Sequence, residues 1–200
     1  MRIIAGKYRG RNLKSPPSIE VRPTSDRLRE TLFNVIAPRI EGARFLDLCA
    51  GSGAVGIEAL SRDAAHVTFV DRARKIISLI EANLELCRIA KDERAVIHGD
   101  APEFLKRTAT QIRNGKTEGW DIVFFDPPYA TEYLEVLNFF AAPASRLLTE
   151  TGLLIVEHHH KKELPDELDD LRRTRILKQG DSALSFYAVN SAHRDGLPPT

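Results

Sequence analysis

The sequence predicts an α/β fold built on a mostly parallel, doubly wound sheet with helices on both faces. Three observations carry that reading. From residue 43 to residue 158 short apolar runs alternate with stretches long enough for one helix each, and strands separated by single helices lie parallel. A glycine-rich turn, Gly51-Ser52-Gly53-Ala54-Val55-Gly56, follows the first of these runs. Later runs close on an acid, at Asp71, Asp100 and Asp126, where ligands of such sheets collect.

The elements follow in order. The opening alternates short extended pieces around Gly6 and Gly10, which reads as a hairpin, and Pro16, Pro17 and Pro23 then mark a loop. Thr24 or Ser25 is placed to cap a helix in which Leu28, Leu32, Val35 and Ile36 share a face. Strands are expected at ARFLDL, HVTFVD, AVIHGD, DIVFFD and GLLIVEH, with helices over Ala54–Ser61, Arg74–Cys87, Pro102–Ile112 and Glu132–Phe140 between them. Two further strands, RRTRILKQ and ALSFYAV, are joined by Gly180-Asp181, a link short enough to make them an antiparallel hairpin. The count is seven. The chain divides into a basic amino-terminal hairpin over residues 1–20, one domain over 21–190 and a mobile tail over 191–200.

Composition narrows the function classes. With 42% hydrophobic and 28% charged residues the chain is ordinary for a globular domain. No run approaches a membrane span, and the start lacks the apolar core of a signal peptide. Cys49 and Cys87 fit no metal or redox spacing, which suggests reduced thiols in a cytoplasmic protein. His158, His159 and His160 sit at a strand end and cannot all point one way, so they read as a solvated strand end and not as a metal site. The net charge is only +1, yet Arg2, Lys7, Arg9, Arg11, Lys14, Arg22, Arg27 and Arg29 crowd the amino end. Such clustering suits either a phosphate-contacting face or a solvated arm.

Gly51, Gly53 and Gly56 satisfy G-x-G-x-x-G, and Asp71 ends the next strand at the spacing of a ribose-binding acid. Taken alone, this suits a nicotinamide cofactor as well as an adenosyl one. Two acids favour the latter. Asp47 precedes the glycines, where it would repel a pyrophosphate but suit a cationic amino-acid moiety. Asp100 is placed to accept a hydrogen bond from an adenine amino group. Acids at three neighbouring strand ends suit S-adenosylmethionine, a nucleoside without phosphates. Ordinary helix capping explains Asp71 or Asp100 singly, but not all three acids with the glycines.

With FLDLCAGSG, FVD, HGD and FFDPPY in order, the chain resembles a class I S-adenosylmethionine-dependent methyltransferase acting on exocyclic amines. RIIAGKYRGRNL and the run R-P-T-S-D-R-L-R-E-T-L-F-N from Arg22 extend the resemblance to the bacterial family that methylates N2 of a guanine in small-subunit (16S) ribosomal RNA. The resemblance implies a seven-stranded sheet with an antiparallel last strand, and an amino-terminal hairpin that helps to engage RNA. It places Asp47, Gly51 and Gly53 at the methionine part of the cofactor, Asp71 at the ribose and Asp100 with Ala101 at the adenine, and Ala50 and Arg72 count among the cofactor-binding residues. Arg22, Thr24 and Arg27 fall on the substrate side, and Lys7, Arg9 and Arg11 in the hairpin. Asp71 stands where many related chains carry glutamate.

The stretch Phe125-Asp126-Pro127-Pro128-Tyr129 then gains a role. Prolines end a ladder and hold the residue before them extended, so this is a stiff turn at the end of a strand. An exocyclic amine is a poor nucleophile, and acceptors on both N–H bonds favour a lone pair aimed at the methyl group. Asp126 and the Pro127 carbonyl supply those acceptors, Pro128 stiffens the turn, and Tyr129 stacks on the base. Four readings compete: a ribosomal RNA guanine-N2 methyltransferase, a DNA adenine-N6 or cytosine-N4 methyltransferase, an NAD-dependent oxidoreductase, and a non-catalytic RNA-binding assembly factor. The first is expected, as a monomer acting on ribosomal RNA within a partly or fully assembled small subunit. The hairpin lies far along the chain from the glycine loop, so charge reversal there should leave cofactor affinity unmoved.

Overall fold

The computed structural model describes residues 1–15, 26–128 and 132–190. In chain order its elements are α1 (Asp26–Ile40), β1 (Arg44–Leu48), α2 (Ala54–Ser61), β2 (His66–Asp71), α3 (Arg74–Cys87), β3 (Arg94–His98) and α4 (Ala101–Arg113). Then come β4 (Trp120–Phe125), α5 (Tyr133–Ala141), β5 (Leu148–His159), β6 (Glu167–Leu168), β7 (Leu171–Gln179) and β8 (Ser182–Val189). The helix capped by Thr24 or Ser25 begins at Asp26; the caps themselves, and the tail from 191, lie outside the described residues.

The strands form one sheet in the order β3-β2-β1-β4-β5-β8-β7-β6. The first five are parallel, β8 is antiparallel to β5 and β7, and β7 is antiparallel to β6. The seven expected strands are all present, and β6 is an eighth. It comes from the acidic PDELDD segment, where Glu167 and Leu168 pair with Arg172 and Leu171. Two residues are too few for an alternating pattern to register in sequence.

Side chains alternate across the central strands and so divide the core in two. Phe45, Val67, Phe69, Ile122, Phe124 and Ile155 face α1, α2 and α3. Leu46, Leu48, Val70, Val123, Phe125, Leu154 and Val156 face α4 and α5. The same alternation turns Asp47 to the side of Phe45, under α2.

The amino-terminal arm turns back on itself around Gly6–Gly10, but as one antiparallel bridge, Arg2 to Asn12, and not as a ladder. Within the arm Ile3 N donates to the Arg11 carbonyl, Gly10 N to the Ile3 carbonyl and Leu13 N to the Met1 carbonyl, and other elements hold the rest of its backbone. Glu58, wholly buried in α2, accepts from Ile4 N (2.7 Å, Oε2) and Ala5 N (2.9 Å, Oε1). Ser61 Oγ accepts from Tyr8 N at 2.9 Å, and Ile3 and Leu13 are buried in the α1–α3 face of the core. Gly6, at φ +77°, lies so close to α2 that a Cβ there would stand 1.6 Å from the Ser61 carbonyl oxygen.

Candidate active site at the switch point of the sheet

Chain direction across the sheet reverses between β1 and β4, and in open parallel sheets the crevice at that point receives the ligand. On the β1 side, Gly51 and Gly53 take left-handed φ of 54° and 75°, which turn the loop into the amino end of α2. Gly56 serves packing. A Cβ there would meet Phe69 Cε1 at 2.3 Å, so its absence lets α2 lie against β2. Asp47 is 2% exposed, and its Oδ2 accepts from Gly56 N at 2.8 Å. Burial pushes its carboxyl up to about 8, the Gly56 donor opposes this, and the Asp71 charge adds to it.

Asp71 is half-buried at the end of β2. Its Oδ2 accepts from Gly51 N at 3.1 Å and its Oδ1 from Ala73 N at 2.9 Å, which fixes the glycine loop to the neighbouring strand. Arg72 is exposed, and its carbonyl meets His98 Nε2 at 3.0 Å. Asp100 stands at the N-cap of α4, yet its side chain makes no capping hydrogen bond, and Ala101 behind it is buried. Capping therefore does not account for Asp100.

On the β4 side Asp126 is half-buried, and its backbone N–H reaches the Leu48 carbonyl at 3.3 Å across the crevice. Pro127 is buried and Pro128 exposed; Tyr129 lies outside the described residues. Cys49 reports how these parts assemble. Burial raises its thiol far above the ordinary range, and the charges of Asp71, Asp126, Asp47 and Asp100 all raise it further. Acids from the ends of four strands thus act on one side chain. They also keep that thiol protonated, which removes it as a nucleophile.

The basic residues lie elsewhere. Lys7 Nζ pairs with Glu93 at 3.0 Å and Arg11 Nη1 donates to the Leu86 carbonyl at 2.8 Å, with the Tyr8 ring between them. Arg9 is exposed in the turn, Arg27 is exposed in the first turn of α1, and Arg22 and Thr24 lie outside the described residues. The turn packs on Ser61, at the far end of α2 from the glycine loop, which for an eight-residue helix is about 12 Å away. Distance along the chain nevertheless misleads for the arm's other end. Lys14 and Ser52 meet on one side chain, Asn83, so the arm adjoins the loop it was expected to leave untouched.

Sequence reasoning passed over Asn83, Glu58 and Ser61, and it counted Arg29 with the basic cluster of the amino end, whereas Arg29 is fully buried, with Nη2 donating to the Arg2 carbonyl at 2.6 Å and to Asp26 Oδ1 at 2.9 Å. A signal existed for two of them. Glu58 is the one acid in the apolar helix AVGIEALS, and Asn83 interrupts the buried stripe of Ile80, Leu84 and Cys87. The histidines also need correction. His158 is fully buried, with Nε2 at 2.9 Å from Ser185 Oγ, and burial lowers its pKa, so it is a core residue and not part of a solvated strand end. His159, His160 and Asp181 bring possible metal ligands within 4.8 Å of one another, but the Nδ1 atoms of both histidines are already engaged, by Lys161 N and the Asp181 carbonyl.

The crevice fits an adenosyl cofactor. A Cβ built at Gly51 or Gly99 meets nothing within 4 Å, so both loops are open beside the acids. A sheet of this order, with such a loop and such strand ends, is the fold of the class I S-adenosylmethionine-dependent methyltransferases. Within that class the chain belongs to the family described as Conserved hypothetical protein 95, whose model matches residues 1–188. It is 37% identical over 187 residues to YlbH of Bacillus subtilis (strain 168), provisionally named an rRNA methyltransferase, covering 94% of this chain and 98% of that protein. It is 39% identical over 166 residues to ribosomal RNA small subunit methyltransferase D of Escherichia coli (strain K12), covering 82% and 78%. The solved structure of a hypothetical protein from Thermus thermophilus superposes with a TM-score of 0.79 at 30% identity, over 94% of this chain and 99% of that one. Among the described residues no helix is long and apolar enough to cross a membrane.

Proposed function

We propose that this protein transfers a methyl group from S-adenosylmethionine to the exocyclic N2 amine of a guanine in small-subunit ribosomal RNA. One observation supports the reading: β4 lies beside β1 at the switch point, and the Asp126 N–H on the Leu48 carbonyl brings the turn with Asp126, Pro127 and Pro128 next to the start of the glycine loop. The names of the relatives support ribosomal RNA as the substrate.

S-adenosylmethionine supplies an electrophilic methyl on a sulfonium. Asp47, Gly51 and Gly53 form the wall at its methionine part, Asp71 that at the ribose, and Asp100 and Ala101 that at the adenine, with Ala50 and Arg72 completing the cofactor-binding set. Asp126 accepts one amine hydrogen and is placed to take the released proton, while the Pro127 carbonyl accepts the other. Pro128 holds that geometry in advance, and Tyr129 stacks on the flipped base. Arg22, Thr24 and Arg27 engage RNA on the substrate side. Lys7, Arg9 and Arg11 touch phosphates of flanking RNA, with Arg9 the least encumbered of the three. The protein acts as a cytoplasmic monomer on a partly or fully assembled small subunit.

The test is radiolabelled methyl transfer to unmethylated small subunits, free ribosomal RNA and DNA, followed by nucleoside analysis. Label in N2-methylguanosine from the small subunit is expected. Label in N6-methyladenine or N4-methylcytosine of DNA overturns the reading.

A further inference from the structure

Asn83 is wholly buried on α3 and joins two segments that sequence separates widely. Its Oδ1 accepts from Lys14 N at 2.8 Å, and its Nδ2 donates to the Lys14 carbonyl at 3.0 Å and to the Ser52 carbonyl at 2.9 Å. One amide therefore matches both backbone groups of an arm residue and one of the glycine loop, and no oxygen-for-nitrogen exchange preserves all three bonds. Met1 adds a second contact, its sulfur 3.5 Å from Ser52 Oγ. Ser52 stands between Gly51 and Gly53, at the centre of the cofactor loop. Lys14 stands just ahead of residues 16–25, which carry Arg22 and Thr24.

We infer that Asn83 is a positioning residue coupling the two substrates: it locks the segment that leads into the RNA-side motif onto the cofactor loop, so that filling the cofactor site orders the arm, and RNA held by that motif tightens cofactor binding. The coupling is reciprocal, because a free-energy link between two binding events acts equally on both. Its RNA half rests on the function proposed above, whereas its cofactor half does not. The turn carrying Lys7, Arg9 and Arg11 lies outside this link, at the other end of α2. The coupling therefore runs through Lys14 and not through the basic tip.

Two measurements test it. In the first, amide hydrogen exchange of the peptide covering residues 1–15 is followed with and without S-adenosylhomocysteine, in the absence of RNA. Wild type should exchange at least about 5-fold more slowly when ligand is bound, the lower end of ordinary coupling. Asn83→Asp keeps the acceptor for Lys14 N but faces two carbonyls with a carboxylate, so the protection should disappear. Ser61→Ala loosens the arm at its distal turn without touching the glycine loop. It should exchange faster throughout but keep the ligand-induced ratio, which separates coupling from mere arm stability.

In the second measurement, the affinity for S-adenosylhomocysteine is compared with and without small subunits. The ratio should exceed about 5 in wild type and approach 1 in Asn83→Asp. Should Asn83→Asp not fold, Lys14→Pro removes the arm's backbone donor to Asn83 and leaves the Asn83–Ser52 bond in place, and it should show the same losses, with Lys14→Ala as the control that keeps the donor and should behave as wild type. Wild-type protection and a wild-type ratio in Asn83→Asp, or in Lys14→Pro, overturn the inference. If small subunits fail to bind while the exchange result holds, the substrate assignment falls and the link from loop to arm stands.

Discussion

The two loops facing each other across the switch point are stiffened by different means. The loop after β1 is held by side chains from other elements, Asp71 on Gly51 and Asn83 on Ser52, and is bridged by Asp47 of β1, which accepts from Gly56 in α2. The turn after β4 carries its own constraint in the rings of Pro127 and Pro128, and is tied to β1 by the Asp126 N–H on Leu48. The difference teaches where each can be damaged. The cofactor loop is exposed to changes in β2, α2 and α3. The amine turn should respond chiefly to changes within itself and at the end of β1 that holds it.

The largest expected effect comes from the β4 side. Asp126→Ala removes an acceptor needed when the amine reacts, and losing one such preorganised group costs about 10²–10³ in rate. Asp126→Asn should fall between, since its amide oxygen still accepts but cannot take a proton. Affinity for S-adenosylhomocysteine should hold in both, and single-turnover kinetics on saturated complexes isolate the step. An Asp126→Ala protein that transfers at the wild-type rate removes the amine turn from the chemistry.

Next in size is Gly56→Ala. In an unobstructed helix alanine would stabilise by about 1 kcal/mol. Here its Cβ would stand 2.3 Å from the ring of the fully buried Phe69, and overpacking of a filled core costs about 1–3 kcal/mol. Urea denaturation should therefore show net destabilisation, together with weaker cofactor binding as α2 is pushed off β2. A more stable variant would mean that α2 shifts freely, against the idea that distant elements fix the loop.

Asp71→Ala sharpens the comparison on a smaller scale. It strips acceptors from Gly51 N and Ala73 N, bonds worth about 0.5–1.5 kcal/mol each, and removes the proposed ribose contact. Calorimetry should show weaker S-adenosylmethionine binding, with the methyl-transfer rate at saturation little changed. A lowered rate with intact affinity would reverse the roles given to the two sides.

Local pattern made the β1–β5 half of the fold legible, and contact between distant segments was what it could not convey. Ala54–Ser61, His66–Asp71 and Arg74–Cys87 are marked by glycine, alternation and helical spacing within the segments themselves. The candidate site was legible for the same reason, since each acid closes its own strand and topology brings strand ends together. The arm's destination was not. Lys14 and Asn83 are 69 residues apart, and neither local sequence indicates the other. An apolar stripe interrupted by asparagine, or an apolar helix by glutamate, signals a buried polar group that needs a partner. It does not say which partner. Likewise the histidine run suggested exposure, whereas pairing of β5 with β8 puts Ser185 beside His158 and buries it.

A pH slope tests Asp47 on its own. In the folded protein its carboxyl lies near 8, against an ordinary 3.8. Between those values the folded chain holds a proton that the unfolded chain has released, so stability falls as pH rises across the window. This contribution is fully favourable below about 4 and levels off above about 8. Asp47→Asn keeps an oxygen for the Gly56 N–H but has no proton to lose, so its stability should decline less between pH 5 and pH 8.5. Thermal melts of both proteins across that range measure the difference. Added S-adenosylmethionine should shrink the wild-type slope, because its cationic charge favours an ionised Asp47. Equal slopes in wild type and Asp47→Asn would mean that the carboxyl is already ionised at neutral pH, with the Gly56 donor at the amino end of α2 outweighing burial. Asp47 would then be a fixed negative charge facing the cofactor before it arrives, and the β1 loop would owe its shape to an ion and not to a neutral hydrogen bond.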